Sequence, residues 1–115
     1  MRSSDDDTVA ELLAKVRSGD SAATDTLLRL MYERLTASAE AIAQRGEPMS
    51  ASFSKSDLVQ SAIVRLFEAG IFRRAENAAY LFGAASRAMR QILVDRARMR
   101  HSQKRGGELN RLPLD

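Results

Sequence analysis

The sequence has no cysteine and no tryptophan, and its 115 residues include two prolines and one histidine. Without cysteine the chain forms no disulfide and offers no thiolate to a metal, and a single histidine has no second imidazole to pair with. No apolar run approaches the ~20 residues of a membrane span. The stretch MRSSDDDTVAELL is acidic where a secretory signal is basic. We therefore expect a cytoplasmic, soluble protein without a bound metal and without membrane association.

Signatures of catalysis are also missing from the sequence. It contains no Ser/His/Asp set, no glycine-rich loop for holding a phosphate, and no spacing of metal ligands. We predict that the protein is not an enzyme, that it has no catalytic residues, and that it uses no cofactor. Its function should then consist of binding.

Charge is distributed unevenly along the chain. Residues 1–60 contain seven Lys/Arg and ten Asp/Glu, a balance of −3, whereas residues 61–115 contain eleven and five, a balance of +6. This asymmetry predicts a polyanionic partner for the second half. Charge alone does not separate a nucleic acid from a membrane surface or an acidic protein.

Apolar periodicity and capping residues predict an all-α protein, a compact bundle of about four helices, and no segment alternates as a strand does. The first helix should begin at Asp7 or Thr8, because Thr8 and Glu11 have the spacing of a capping box, and should end at Gly19. Asp20 or Ser21 should cap a second helix that ends at about Arg45. Ser56 should cap a third helix that ends at about Ala69. Asn77 should cap a fourth helix that reaches Gln103, before Gly106 and Gly107. The domain should then span 1–107, with 108–115 as a tail or the start of a linker.

The last predicted helix has two different faces. At 100° per residue, its apolar residues share the side that should face the core: Leu81, Ala85, Ala88, Met89 and Ile92. The opposite arc contains a tyrosine followed by polar and basic residues: Tyr80, Arg87, Gln91, Arg98, His101 and Arg105. Arginines displace counterions at phosphates, and an exposed ring offers a platform for an unpaired base. The arc therefore fits nucleic-acid binding, and it fits a merely solvated basic helix end equally well.

The third predicted helix and the connection after it have two interpretations each. One half of this helix is apolar and should be buried: Leu58, Val59, Ala62, Ile63, Leu66 and Phe67. The other half is acidic and polar around one valine, and is either a solvated face or a docking surface for a basic partner helix. The following connection carries Phe72, Arg73 and Arg74. It could receive an extruded base, or Phe72 could be a hydrophobic plug with solvated neighbours.

Two segments resemble a known family. DLVQSAIVRLFEAG (57–70) and AYLFGAASRAMRQILVDRARMRHSQKRGG (79–107) are similar to region 2 of bacterial sigma-70 factors of the extracytoplasmic-function (ECF) type. The resemblance covers about residues 8–107 and is strongest from Asp57 onward. It implies a helical region 2 fold, binding to core RNA polymerase and promoter DNA, and recognition and melting of the minus-ten element.

The resemblance implies three groups of site residues. The DLVQ helix of the family docks on the clamp helices of the polymerase β′ subunit, which implies a polymerase-binding group: Asp57, Gln60, Ser61, Val64 and Glu68. The loop after it helps to capture a flipped minus-ten base, which implies Phe72, Arg73, Arg74 and Asn77. The next helix contacts and melts the minus-ten duplex, which implies Tyr80, Arg87, Gln91, Arg98, His101 and Arg105.

The chain departs from the family pattern in three respects. Ser61 stands where many members have an acid, which should retune the polymerase contact, and Tyr80 stands where tryptophan is common. Nothing after Gly107 resembles region 4, the helix-turn-helix that reads the minus-thirty-five element, so we expect an isolated, monomeric region 2. Two other functions stay open. The chain could coat nucleic acid without sequence preference, or it could be an interaction module for a regulatory protein such as an anti-sigma factor.

Overall fold

A computed structural model of the chain describes the backbone of residues 2–45 and 53–111 and the side chains of residues 7–45 and 53–102. This part holds five α-helices and no β-strand. The helices are α1 (Arg2–Arg17), α2 (Ser21–Gln44), α3 (Lys55–Glu68), α4 (Ile71–Arg74) and α5 (Ala78–Arg111). The predicted all-α fold is confirmed. The additional helix, α4, is a single turn in the connection that was expected to be a loop.

The predicted start of the first helix is wrong. α1 begins at Arg2, so Thr8 lies inside the helix and does not cap it. Acidic residues favour the positive end of the helix dipole, and the acidic run before Thr8 is therefore compatible with a longer helix. The other end agrees with the prediction, because Gly19 has a φ of 90° just beyond the last turn. Asp20 then caps α2 by accepting a hydrogen bond from the backbone N–H of Ala23 at 3.1 Å.

Ser54, and not Ser56, caps α3. The Asp57 backbone N–H donates to Ser54 Oγ at 3.2 Å, and the Ser54 N–H donates to Asp57 Oδ2 at 2.8 Å. This reciprocal pair is a capping box that starts the helix at Lys55. Ser56 therefore lies within the first turn, where its hydroxyl is 2.6 Å from that of Tyr32 on α2. The predicted end of α3 is confirmed, since Gly70 follows with a φ of 70°.

α5 starts as predicted but continues further. The Tyr80 backbone N–H donates to Asn77 Oδ1 at 2.8 Å, which caps the helix. The predicted stop at Gly106 and Gly107 is wrong, because α5 runs to Arg111. Each glycine weakens a helix by about 1 kcal/mol but keeps its backbone N–H, so the hydrogen-bond ladder can pass through it. Residues 108–111 thus continue the helix, and the domain boundary at residue 107 stays a prediction.

The core is built from the apolar stripes that the sequence predicts. The most deeply buried large side chains come from four helices: Val9, Leu13, Leu27, Met31, Leu35, Leu58, Val59, Leu81 and Met89. Each such side chain contributes about 1.5–3 kcal/mol by leaving water. Phe67 is the exception to the predicted core, because it is 49% exposed at the end of α3. α3 packs on both α2 and α5, which leaves one side of α3 and the outer face of α5 free for partners.

Candidate nucleic-acid interface

The outer face of α5 carries the residues that periodicity predicted for it. Tyr80 is 45% exposed. The polar residues of the arc are also exposed: Arg87, Gln91, Arg98 and His101. The side chain of Arg105 lies outside the described residues. The predicted exposure of this face is therefore confirmed for five of its six residues.

Gly83 separates the tyrosine from the first arginine of this face. A Cβ built on Gly83 would lie 3.6 Å from Arg87 Nη1, so the guanidinium reaches back over the glycine toward the start of α5. The face therefore begins with an aromatic ring, continues with a position that has no side chain, and then presents a cation.

Gln91 and Asp95 form a pair on the next turns of α5. Gln91 Nε2 donates to Asp95 Oδ1 at 2.9 Å, and Arg65 Nη2 of α3 donates to Asp95 Oδ2 at 3.0 Å. The hydrogen bond from Gln91 and then the bond and charge of Arg65 lower the pKa of Asp95. Asp95 is thus a carboxylate at neutral pH that joins α3 to the outer face of α5. This contact was not predicted from the sequence, although an amide and an acid four residues apart on a helix are placed to interact.

The connection between α3 and α5 presents its cations and buries its aromatic ring. Phe72 is 5% exposed, and its ring centroid is 4.4 Å from that of Phe67. The burial of the ring favours the hydrophobic-plug interpretation for Phe72, and the contact of this ring with a base stays a prediction. Arg73, Arg74 and Asn77 are exposed beside it.

A pocket of about 830 Å³ lies where the ends of α1 and α3 meet α4. Its wall contains the half-exposed ring of Phe67 together with two cations, Arg17 and Arg73, and one acid, Glu68. Arg17 Nη1 also donates to the carbonyl of Ala75 at 2.7 Å, which ties the connection before α5 to α1. No role was predicted for Arg17 from the sequence, and Phe67 was predicted to lie in the core. Only the fold brings residues this far apart in sequence into one site.

Four of the five residues of the polymerase-binding group predicted on α3 line a groove between α3 and α5, and Asp57 does not. The groove has a volume of about 500 Å³, and Gln60, Ser61, Val64 and Glu68 form its α3 side. Val64 and Met99 of α5 are each more than half exposed there. On the α5 side, the Arg96 guanidinium lies 3.9 Å from the centre of the Phe53 ring. This surface offers exposed apolar groups between charged ones.

Two members of this group on α3 have contacts within the fold. The backbone and side chain of Ser54 bond to Asp57 and lower the pKa of its carboxyl. Asp57 is therefore ionised while it caps α3, and its first role in the fold is to start this helix. Gln60 Nε2 donates to Ser56 Oγ at 3.4 Å, which orients the amide along the helix.

Within the described residues, no cluster of three or more His, Asp or Glu side chains could hold a metal ion. No helix in this same part of the chain has both the length and the apolar character needed to cross a bilayer. Most of the residues predicted for function lie on three surfaces, which are the face of α5, the pocket at α4, and the groove between α3 and α5.

Comparison with known proteins adds one match. The sequence model of the family described as ECF sigma factor matches residues 6–115, which is nearly the whole chain. No curated protein and no solved structure matches the chain. The matched range contains all three surfaces described above.

Proposed function

The chain belongs to the ECF sigma factor family, whose members bind RNA polymerase and direct transcription initiation at promoters, and we propose that it recognises and melts the minus-ten element. The family consists of regulatory transcription factors rather than enzymes. In this proposal the face of α5 and the pocket at α4 bind DNA, while the groove between α3 and α5 binds polymerase. The protein would act as a monomer in the cytoplasm.

The arrangement of α5 supports contact with opened DNA. Tyr80 offers a stacking surface, and Arg87 and Arg98 follow it on the same exposed face. Cations in one line along a helix can follow the phosphates of one strand. A ring at the start of that line can stack on a base that has left the duplex.

The pocket at α4 supports capture of an extruded base. Phe67 takes the role that the sequence analysis gave to Phe72, because its ring is accessible while that of Phe72 is buried. Arg17 and Arg73 line the same pocket and would hold the phosphates on either side of the base. Arg74 and Asn77 are exposed next to the pocket and would extend this contact along the strand.

These contacts can offset the free energy of melting. Unstacking costs a few kcal/mol per base step, and stacking on an aromatic side chain returns ~1–3 kcal/mol per base. Two accessible rings, Tyr80 and Phe67, could therefore compensate for about two unstacked bases. Charge-assisted phosphate contacts add to this, so melting needs no nucleotide hydrolysis.

The groove between α3 and α5 supports docking of a helical partner. Val64 and Met99 would supply the apolar centre, and Gln60 and Glu68 would bond to polar and basic groups at its edge. Ser61 is half-buried in the groove wall. A serine here would weaken the attraction to basic partner residues that an acid provides, and it leaves more room for a packed side chain.

The observation that carries the proposal is the exposed line of Tyr80, Arg87, Gln91, Arg98 and His101 on a helix of a family member. The test is fluorescence binding of the purified chain to a library of short single-stranded oligonucleotides, with and without core polymerase. We expect one sequence to be preferred over its scrambled version when polymerase is present. Equal binding of all sequences with a steep salt dependence would indicate a protein that coats nucleic acid. Failure to bind polymerase or DNA, together with capture of a regulatory protein, would indicate an interaction module instead.

A further inference from the structure

We infer that Asp95 is a positioning residue that fixes the amide of Gln91 in the orientation that reads adenine. This inference rests on the proposed function, because it assigns a base preference to one residue of the DNA-binding face. It is carried by a contact between two side chains of α5 and by the hydrogen-bonding capacity of each group.

The first step concerns the orientation of the amide. An ionised carboxylate can only accept hydrogen bonds. Asp95 Oδ1 lies 2.9 Å from Gln91 Nε2, and the other oxygen accepts from Arg65 at 3.0 Å. Gln91 must therefore present its NH₂ group to Asp95, since its carbonyl oxygen would be repelled there. The amide is thus held in one of its two orientations by chemistry as well as by position.

The second step concerns what remains free on Gln91. The NH₂ group has two hydrogens, and Asp95 uses one of them. When Asp95 takes the hydrogen that points away from the carbonyl oxygen, the remaining hydrogen and that oxygen form an adjacent donor and acceptor on an exposed side chain. That pair matches adenine, whose N7 accepts and whose N6 amino group donates. Guanine presents two acceptors at the same edge, so it cannot pair with the amide in this way.

The third step concerns the location of the amide. Gln91 is on the same exposed face as Arg87, one turn before it, and Arg98, two turns after it. Phosphate contacts by these arginines would fix the register of the DNA, while Gln91 would read a base edge. Arg65 of α3 pairs with the other oxygen of Asp95, and Oδ1 accepts from Gln91 independently of that ion pair.

The test compares the sequence preference of three forms of the full chain. Wild type, Asp95→Asn and Arg65→Gln are each combined with core polymerase, and bound DNA is selected from a randomised pool and sequenced. We expect wild type to enrich adenine at one position. Replacing that adenine by 7-deazaadenine, which lacks the N7 acceptor, should weaken binding on the order of 5- to 150-fold.

Asp95→Asn is expected to lose the adenine preference at that position, because an asparagine can donate to the carbonyl oxygen and let the amide of Gln91 reverse. Arg65→Gln is the matched control, since it removes the same ion pair between α3 and α5 but leaves Asp95 free to accept from Gln91. It should keep the preference. If Asp95→Asn and Arg65→Gln both keep it, or both lose it together with thermal stability, Asp95 has no positioning role.

The outcomes also separate this inference from the proposed function. Wild type with polymerase could enrich one sequence while Asp95→Asn changes the adenine preference at none of its positions. The inference then fails and the proposed function stands. If wild type enriches no sequence, both fail. A Gln91→Glu variant provides a second measurement, because it keeps the acceptor, removes the donor, and should lose discrimination between adenine and 7-deazaadenine.

Discussion

Replacing Tyr80 by alanine should weaken binding to opened promoter DNA without harming the fold. The ring is 45% exposed, so removing it should change the free energy of unfolding by no more than about 0.5 kcal/mol. Loss of one stacked base corresponds to ~1–3 kcal/mol of binding free energy, which is roughly a 5- to 150-fold weaker affinity. The salt dependence should stay the same, because no phosphate contact is removed.

The chain contains a matched control for this substitution. Tyr32 on α2 is 37% exposed and far in sequence from the proposed DNA surface, with its hydroxyl 2.6 Å from Ser56 Oγ. Tyr32→Ala removes the same kind of side chain and should leave DNA affinity unchanged, although it loses a hydrogen bond worth about 1 kcal/mol of stability.

The assay is fluorescence anisotropy with a labelled single-stranded oligonucleotide of the preferred sequence, in the presence of core polymerase and over a range of salt. Arg87→Gln serves as a contrast, because losing one phosphate contact should make the salt slope less steep by about 0.7 for single-stranded DNA. If Tyr80→Ala and Tyr32→Ala weaken binding equally, or if Tyr80→Ala changes the slope instead of the affinity, the stacking argument is refuted.

Three further predictions concern the pocket, the groove and the capped carboxylates. Phe72→Ala should lower the free energy of unfolding by about 3–5 kcal/mol in urea titrations, because the ring is buried. Phe67→Ala should cost less stability and mainly weaken oligonucleotide binding. If Phe67→Ala destabilises the fold more than Phe72→Ala does, the assignment of Phe67 to DNA binding and of Phe72 to the core is contradicted. Val64→Glu should weaken binding to core polymerase in pull-down while leaving thermal stability unchanged, since the side chain is exposed. The pKa values of Asp57 and Asp95 are lowered from 3.8, so both groups stabilise the fold above that pH and lose this effect as the pH falls through their lowered pKa values. The urea concentration at the midpoint of unfolding should therefore fall as the pH is lowered below about 4. This fall should be smaller in Asp57→Asn, which lacks one of the two carboxylates.

The features predicted best from the sequence are those set by local periodicity. A 3.6-residue repeat fixes which side of a helix each residue occupies, so the exposure of Tyr80 and Arg87 and the burial of Leu81 and Met89 follow from spacing alone. The cap of α5 was also predictable from local sequence, because Asn77 stands directly before the apolar stripe.

The features that the sequence did not predict depend on contacts between distant segments or on choices between similar residues. Arg17 reaches the carbonyl of Ala75, 58 residues away, and no local pattern indicates that contact. Phe67 and Phe72 are both aromatic residues near a helix end, and only the packing decides which is buried. Ser54 and Ser56 are both competent caps, and the reciprocal bond with Asp57 selects Ser54.

Site-specific photo-crosslinking tests the central claim most directly. A photoreactive phenylalanine derivative would be placed at Tyr80, Val64 or Tyr32 in the full chain, and each form combined with core polymerase and the preferred promoter DNA. The account predicts that position 80 crosslinks to DNA, position 64 to polymerase, and position 32 not to DNA. DNA crosslinks at position 32 that equal those at position 80, or none at position 80, would contradict it.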